Sequence, residues 1–116
     1  MKKTKRKSAP AIRTILVNAP EKDAERLAGA LVEKQLAACA NLAPNVTSFY
    51  WWQGKFNRDT GTPIVFKTVP RLVGKLLKHL KQLHSYQVPE FLALPVLEAN
   101  PDYAKWVHES RVAGRA

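Results

Sequence analysis

Residues 46–56 read VTSFYWWQGKF, and this stretch decides which fold the chain can adopt. Its first eight residues are rich in aromatic and β-branched side chains, a composition typical of a strand. Gly54 supplies a turn, and the chain returns through residues 64–68 (IVFKT), so we predict a long hairpin. Because Pro63 cannot donate a hydrogen bond to a ladder, we expect an edge, a bulge or a loop in this part of the return strand.

A strand and a helix precede the hairpin. Residues 12–17 (IRTILV) form a short run rich in branched side chains that ends at Asn-Ala-Pro, residues 18–20, and they are predicted to form a buried strand. Pro20 suits the first turn of a helix, where its missing donor costs nothing. Over residues 21–36 the apolar positions recur with a helical period, and acidic residues crowd the first turns, so we predict a helix there.

A second helix, a strand and a last helix follow the hairpin. The second helix opens at Pro70, and its apolar stripe consists of Leu72, Val73, Leu76, Leu77, Leu80 and Leu83. Residues 91–96 (FLALPV) are predicted to form a strand. Residues 100–102 (NPD) combine a capping side chain, a first-turn proline and an acid at the positive end of a helix, which predicts a C-terminal helix.

The predicted order is β-α-β-β-α-β with an added C-terminal helix. This is an α+β, ferredoxin-like architecture with a long β-hairpin. Helices cover one face of such a sheet, yet the strands at residues 12–17, 64–66 and 91–96 are apolar at consecutive positions, so both faces require burial. A chain of 116 residues has little left to cover the second face. We therefore expect the chain to associate with copies of itself in a closed assembly.

The charge of the chain is unevenly distributed. The formal net charge is +10, and five of the 19 basic residues lie in the first seven positions, which leaves 14 basic against nine acidic residues in the rest. We expect residues 1–10 to form a disordered basic tail and residues 11–116 to form one domain. The tail is expected to act as a solvated arm, with weak, salt-sensitive attachment to RNA, DNA or an anionic membrane as the alternative.

Cysteine usage and hydropathy bear on the compartment. Cys39 is the one cysteine of the chain, so no internal disulfide framework can form, which fits a reducing environment. The longest apolar run, residues 91–97, is well short of the roughly 20 residues that cross a bilayer. No apolar segment follows the basic residues 1–8, so they do not resemble a secretory signal. We expect a cytoplasmic protein without a membrane partner.

Seven phrases, in order and with their spacing intact over about residues 12–110, resemble the CutA family of divalent-cation tolerance proteins. They are ILVNAP (15–20), LVEKQLAACAN (31–41), VTSFYWWQGK (46–55), KT (67–68), HSYQVPE (84–90), ALPV (93–96) and NPDY (100–103). The resemblance implies a homotrimer in which the long hairpins pair edge to edge between subunits. It also implies a part in the response to divalent metals such as copper.

The resemblance carries further expectations about a site. The family's fold and trimer are similar to those of the PII signalling proteins, so an unidentified small ligand at the subunit clefts is expected by analogy. Trp52, Lys67 and Tyr86 match positions of the family's inter-subunit cleft. Two segments depart from the family: residues 57–63 hold a single acid, Asp59, and residues 84–87 read HSYQ where the family has His-Pro-Tyr-Glu. Fewer acidic oxygens weaken a site for a hard cation.

Cys39, His84 and Glu90 form the candidate metal set. Thiolate and imidazole suit copper(I) or zinc, and a carboxylate can complete the shell. Each residue also has a structural alternative. Cys39 can be a small buried hydrophobic residue at a helix end, His84 can cap the second helix, and Glu90 can pair with Lys67 or Arg13.

Catalysis is not expected, because Cys39 as a nucleophile would need a base and an orienting partner, and only His84 could serve as the base. The competing functional class is RNA or other nucleic-acid binding by the basic tail and the hairpin aromatics Tyr50, Trp51 and Trp52. RNA-recognition motifs share the element order, but they place stacking rings on the central strands, and residues 15–17 (ILV) offer none.

Overall fold

Residues 9–110, which are the residues that the computed structural model describes, contain five strands and three α-helices. Their bounds are β1 Arg13–Ala19, α1 Glu21–Glu33, β2 Cys39–Leu42, β3 Val46–Trp52, β4 Lys55–Thr68, α2 Val73–Leu83, β5 Leu92–Pro95 and α3 Pro101–Glu109. A short 3-10 turn, Pro70–Leu72, leads into α2. Most of the predicted basic tail lies outside the described residues.

The strands form an antiparallel sheet in the order β2-β4-β1-β5, with β3 pairing only with β4. The 14-residue strand β4 pairs with β3 through its first half and with β2 through its second half. Because β2 and β3 pair with successive stretches of β4, together they occupy the place of one interrupted strand. The predicted α+β, ferredoxin-like order with a long hairpin and a C-terminal helix is confirmed.

One face of the sheet is covered by α1 and α2. Alternate residues of β1 and β4, among them Ile15, Val17 and Phe66, point to this face and are at most 1% exposed. Leucines from α1 and α2 complete this core: Leu27, Leu31, Leu76 and Leu80. Removing so much apolar surface from water is the main favourable contribution to this fold.

A smaller core forms beneath α3, where Ile12, Val69 and Leu72 pack with Ala104 and Val107. The helix begins as predicted, because the side chain of Asn100 accepts a hydrogen bond from the backbone N–H of Asp102 at 3.0 Å. Pro101 occupies the first turn. The described helices include none that is long and apolar enough to cross a membrane.

The first helix is shorter than predicted, because it ends at Glu33 and not at Leu36. Gln35 adopts a left-handed conformation with φ 62°, and the N–H of Leu36 bonds to the carbonyl of Leu31 at 3.1 Å. These are the features of a Schellman end. Leu36 is still buried in the core, so the apolar period continues beyond the helix. Cys39 therefore begins strand β2 and does not end a helix, which corrects the sequence-based expectation.

Strand β4 continues through Pro63, so the expectation of a bulge or loop within this strand is wrong. The carbonyl of Pro63 accepts a hydrogen bond from the N–H of Ala43 at 3.0 Å. In a strand, the amide nitrogen and the carbonyl of the same residue point to the same side. The amide nitrogen of Pro63, which has no hydrogen to donate, therefore also faces residues 43–45, where β2 has already ended. The interruption is in the partner of β4, at residues 43–45 between β2 and β3. Strand β4 itself is continuous and loses no ladder hydrogen bond at Pro63.

Candidate ligand-binding cleft and open sheet face

The second face of the sheet is only partly covered. The register places Leu16 beside Val65 on one side and beside Leu92 on the other. These residues, with Leu94, form what we call the open face, on which Leu92 is 53% and Leu94 is 40% exposed. Helix α3 covers only one end of this face, near Ile12. The apolar second face predicted from the strands is therefore present, and it is open to solvent in the single chain.

Strand β3 presents an unprotected edge. It pairs with β4 on one side only, so the N–H and C=O groups that point away from β4 have no strand partner in the described chain. Its sequence VTSFYWW contains no charged residue and no proline. Natural edge strands usually carry such residues to prevent pairing with other chains.

The hairpin of β3 and β4 displays aromatic rings on both faces. Phe49, Trp51 and Phe56 share one face, with ring centroids of Phe49 and Phe56 6.0 Å apart and those of Trp51 and Phe56 5.5 Å apart. Trp52 lies on the other face, because successive side chains of a strand point to opposite faces. Neither tryptophan is buried within the single chain, since Trp51 is 71% and Trp52 is 43% exposed.

A cavity of about 450 Å³ lies between the hairpin and residues 86–90. We call it the aromatic cavity, because Tyr50, Trp52 and Tyr86 line it; Phe49 is also in the lining, but its ring stacks on Phe56 at the other face of the hairpin. Two carboxylates, Asp59 and Glu90, also line it. The predicted residues Trp52, Tyr86 and Glu90 therefore meet here, whereas Phe49, Tyr50 and Asp59 join them without having been predicted as a set.

The aromatic cavity has a negative electrostatic environment. The hydroxyl of Tyr50 donates a hydrogen bond to Oδ2 of Asp59 at 2.9 Å, and this bond is the main cause of the raised pKa of Tyr50. Partial burial raises the pKa of Tyr86, and the negative charges of Asp59 and Asp23 raise it further. Among residues 9–110, no lysine or arginine lines this cavity. The negative environment thus occurs in a chain whose net charge is +10.

His84 fixes one wall of the aromatic cavity. Its Nε2 lies 2.9 Å from the carbonyl oxygen of Asn18, and its Nδ1 accepts the N–H of Tyr86 at 3.0 Å. This pattern assigns the neutral tautomer with the hydrogen on Nε2. His84 also caps α2, because its N–H bonds to the carbonyl of Leu80 at 2.8 Å. His84 is thus the C-cap residue of α2 through its backbone, while its imidazole bonds to Asn18 and Tyr86 and not to a carbonyl of α2.

The structure does not gather Cys39, His84 and Glu90 into one group. Cys39 lies opposite Lys67, which in turn lies opposite Thr14. His84 bonds to Asn18, four residues further along β1, or roughly 13 Å at the rise of a strand. The Sγ of Cys39 instead contacts the hydroxyl of Tyr103 at 3.7 Å. Within residues 9–110, no three His, Cys, Asp or Glu residues form a group that could hold a metal ion.

Lys67 is likewise separate from the aromatic cavity. Its Nζ donates to Oδ1 of Asn41 at 2.5 Å, near Cys39. The alternative pairing of Glu90 with Lys67 or Arg13 is not found, since the ion pairs of the described chain are Asp23–Arg26 and Lys105–Glu109. Of the three residues predicted for the cleft, Trp52 and Tyr86 lie together, and Lys67 lies on a different part of the sheet.

Comparison with known proteins places these features in a family. The family of the CutA1 divalent ion tolerance protein matches residues 13–110. The divalent-cation tolerance protein CutA of Thermus thermophilus is 41% identical over 97 residues, which cover 83% of this chain and 94% of that protein. The crystal structure of CutA1 from Oryza sativa superposes with a TM-score of 0.86 at 34% identity, covering 93% of this chain and all of that one.

Some relatives are considerably longer. Protein CutA of Mus musculus is 46% identical over 89 residues, which cover 77% of this chain but 50% of that protein. The chain thus spans about half the length of this relative, whereas it spans almost all of the bacterial one. Since the family match covers nearly every described residue and the fold agrees with it, the chain belongs to the CutA1 divalent ion tolerance protein family.

Proposed function

We propose that this chain works in the cytoplasm as a homotrimer that contributes to the response to divalent metal ions such as copper, by binding a metal ion or a small ligand at clefts between its subunits. The observation that carries the proposal is the combination of the open face with the unprotected edge of β3. Both features leave apolar surface and backbone hydrogen-bonding groups that a second copy of the chain can cover.

The edge of β3 supports pairing between copies. A seven-residue strand without charge or proline offers a row of backbone donors and acceptors to another strand. Its exposed rings would gain contacts at the same time, because side chains on paired strands lie close together. A closed ring of copies would use every such edge, whereas an open arrangement would leave one exposed.

The aromatic cavity supports binding in preference to catalysis. It lies beside the hairpin, so pairing of hairpins would place a neighbouring subunit next to it. Its volume is within the range of about 300–1,000 Å³ that is usual for small-ligand pockets. Its lining contains hydroxyl groups such as Ser48 and the carboxylates Asp59 and Glu90, but among the described residues no histidine, lysine or cysteine, the side chains that most often activate a hydroxyl nucleophile.

Metal binding is proposed at two separate places. Cys39 lies at one end of the sheet, and His84 with Glu90 lies at the other, so each needs further ligands from a neighbouring subunit. Because both ring nitrogens of His84 are hydrogen-bonded, this residue would bind a metal only by releasing Asn18 or Tyr86. We expect isothermal titration calorimetry with copper and zinc to show at least about tenfold weaker binding for His84→Ala, as is usual when an ordered ligand set is disrupted. His79, a half-buried residue on α2 outside the cavity lining, provides the matched control, and His79→Ala should titrate like the unmodified chain. Identical titrations for all three proteins would remove His84 from the metal site.

Nucleic-acid binding is the second candidate function, favoured by the exposed cluster of Phe49, Trp51 and Phe56 with Arg58 on the same hairpin face. Exposed rings beside a cation can stack on unpaired bases. This candidate predicts retention on single-stranded RNA that weakens with salt and persists after deletion of residues 1–7. Loss of retention with the deletion would assign the binding to the tail.

A further inference from the structure

The chemistry of the aromatic cavity is unusual for a chain with this charge. Three aromatic residues, Tyr50, Trp52 and Tyr86, and two carboxylates line it, no cationic side chain of residues 9–110 does, and the chain as a whole is strongly basic. From this combination we infer that the aromatic cavity binds an organic cation of the ammonium class. The inference rests on the proposed function, since it assigns a ligand class to the cleft proposed there.

The carboxylates favour a cation over a neutral or anionic ligand. Asp59 and Glu90 lie in the lining without a lysine or arginine to neutralise them, and neither forms an ion pair in the described part of the chain. A cation that enters gains their attraction in a partly enclosed space, where the effective dielectric is lower than in water. An anion would be repelled by the same two groups.

The rings favour an organic ammonium over a bare metal ion. Tyr50, Trp52 and Tyr86 offer π faces, which attract alkylated ammonium groups and are poor ligands for metals. One oxygen of Asp59 is already the acceptor of the Tyr50 hydroxyl. A hard divalent cation needs about six oxygen ligands, and the described residues hold no group of three acidic, histidine or cysteine side chains.

Hydrogen bonds and a ring contact hold the walls of the aromatic cavity in place. His84 binds the backbone of Asn18 and of Tyr86, and the ring centroids of His84 and Tyr86 are 4.8 Å apart. The hydrogen bond from Tyr50 to Asp59 ties the other rim of the cavity. Preorganised walls reduce the ordering that a ligand must impose, which favours affinity.

The inference is tested with choline chloride and its neutral isostere 3,3-dimethylbutan-1-ol, added to the full chain at constant ionic strength. Binding is followed by calorimetry and by tryptophan fluorescence. We expect choline to bind at least about tenfold more tightly than the isostere, because shape and apolar area are matched and only the charge differs. Asp59→Asn and Trp52→Leu should each weaken choline binding by about tenfold or more.

Trp51→Leu is the matched control, because Trp51 is the neighbour of Trp52 on the same strand and lies outside the cavity lining. Its choline affinity should equal that of the unmodified chain. Equal affinity for choline and the isostere, or equal losses for the two tryptophan variants, would overturn the inference. Light scattering on the same samples separates this from failure of the proposed function, since a trimer that ignores choline contradicts only the ligand class.

Discussion

His84 connects two segments that are 66 residues apart in the chain. With 8% of its surface exposed, it keeps the carbonyl of Asn18 and the N–H of Tyr86 satisfied away from bulk water. Buried polar groups without a partner are costly, which explains why both ring nitrogens of His84 are hydrogen-bonded. The observed contacts of His84 therefore give it a structural role, which is to support the wall of the aromatic cavity; a role in metal binding is a separate proposal.

Gly61 is required by close contact with Asn18. A Cβ at position 61 would lie 2.7 Å from the side-chain oxygen of Asn18, whereas a Cβ at Gly29 in α1 would meet nothing within 4 Å. We expect Gly61→Ala to lower the free energy of unfolding by about 1–3 kcal/mol through overpacking. Gly29→Ala, the matched control, should raise it by about 0.5–1 kcal/mol because alanine favours the helix.

Equilibrium unfolding in urea at one protein concentration measures both glycine variants, since association makes apparent stability depend on concentration. A Gly61→Ala protein as stable as the Gly29→Ala protein would show that the Asn18 side chain moves aside without cost.

The sequence indicated what chemistry each residue can perform, but it did not indicate which of these residues lie close together in the structure. Cys39, His84 and Glu90 were recognisable as metal ligands by type, but the sheet register separates Cys39 from the other two. Trp52 and Tyr86 came from the family resemblance, and they do line one cavity. The pairing of Tyr50 with Asp59 depends on the hairpin register, which composition alone does not determine.

At the scale of elements, β5 tests whether the open face is an interface. Leu92 is on that face, paired with Leu16, and we expect Leu92→Lys to place a charge where a neighbouring copy packs. The variant should lose the assembly and behave as a chain of 13.0 kDa in light scattering. Leu97→Lys is the matched control, because Leu97 lies beyond β5 and is 91% exposed.

The two leucine variants have opposite expected outcomes. Leu97→Lys should keep the mass of the unmodified chain, because a lysine at so exposed a position loses no burial. If Leu92→Lys also keeps that mass, the open face is not covered by another copy, and the interface must lie elsewhere.

Most elements could be predicted from the sequence, and the exceptions have physical causes. The helical period of apolar residues predicted that α1 continues to Leu36. The helix ends at Glu33, but Leu36 is still buried in the core, so the apolar pattern continues beyond the helix. Strand β2 was missed because its four residues, CANL, are too short for a clear alternation. Pro63 suggested an interruption of β4, but its missing donor faces residues 43–45, where no ladder bond is required.

At the scale of the whole molecule, the central claim is that one sheet is covered by helices on one face and by copies of the chain on the other. The consecutive apolar residues in β1 and β4 predicted two buried faces, and the structure confirms one of them within the single chain. The other face remains apolar and partly open, with Leu92 and Leu94 exposed. Apolar strands indicate that burial is required, but they do not specify how many copies provide it.

Light scattering coupled to size exclusion, on the full chain at micromolar concentration, tests this claim most directly. We expect a mass of about 39 kDa, three times the 13.0 kDa of one chain. A single species of 13.0 kDa would mean that the open face stays in contact with water and that no copy of the chain covers it.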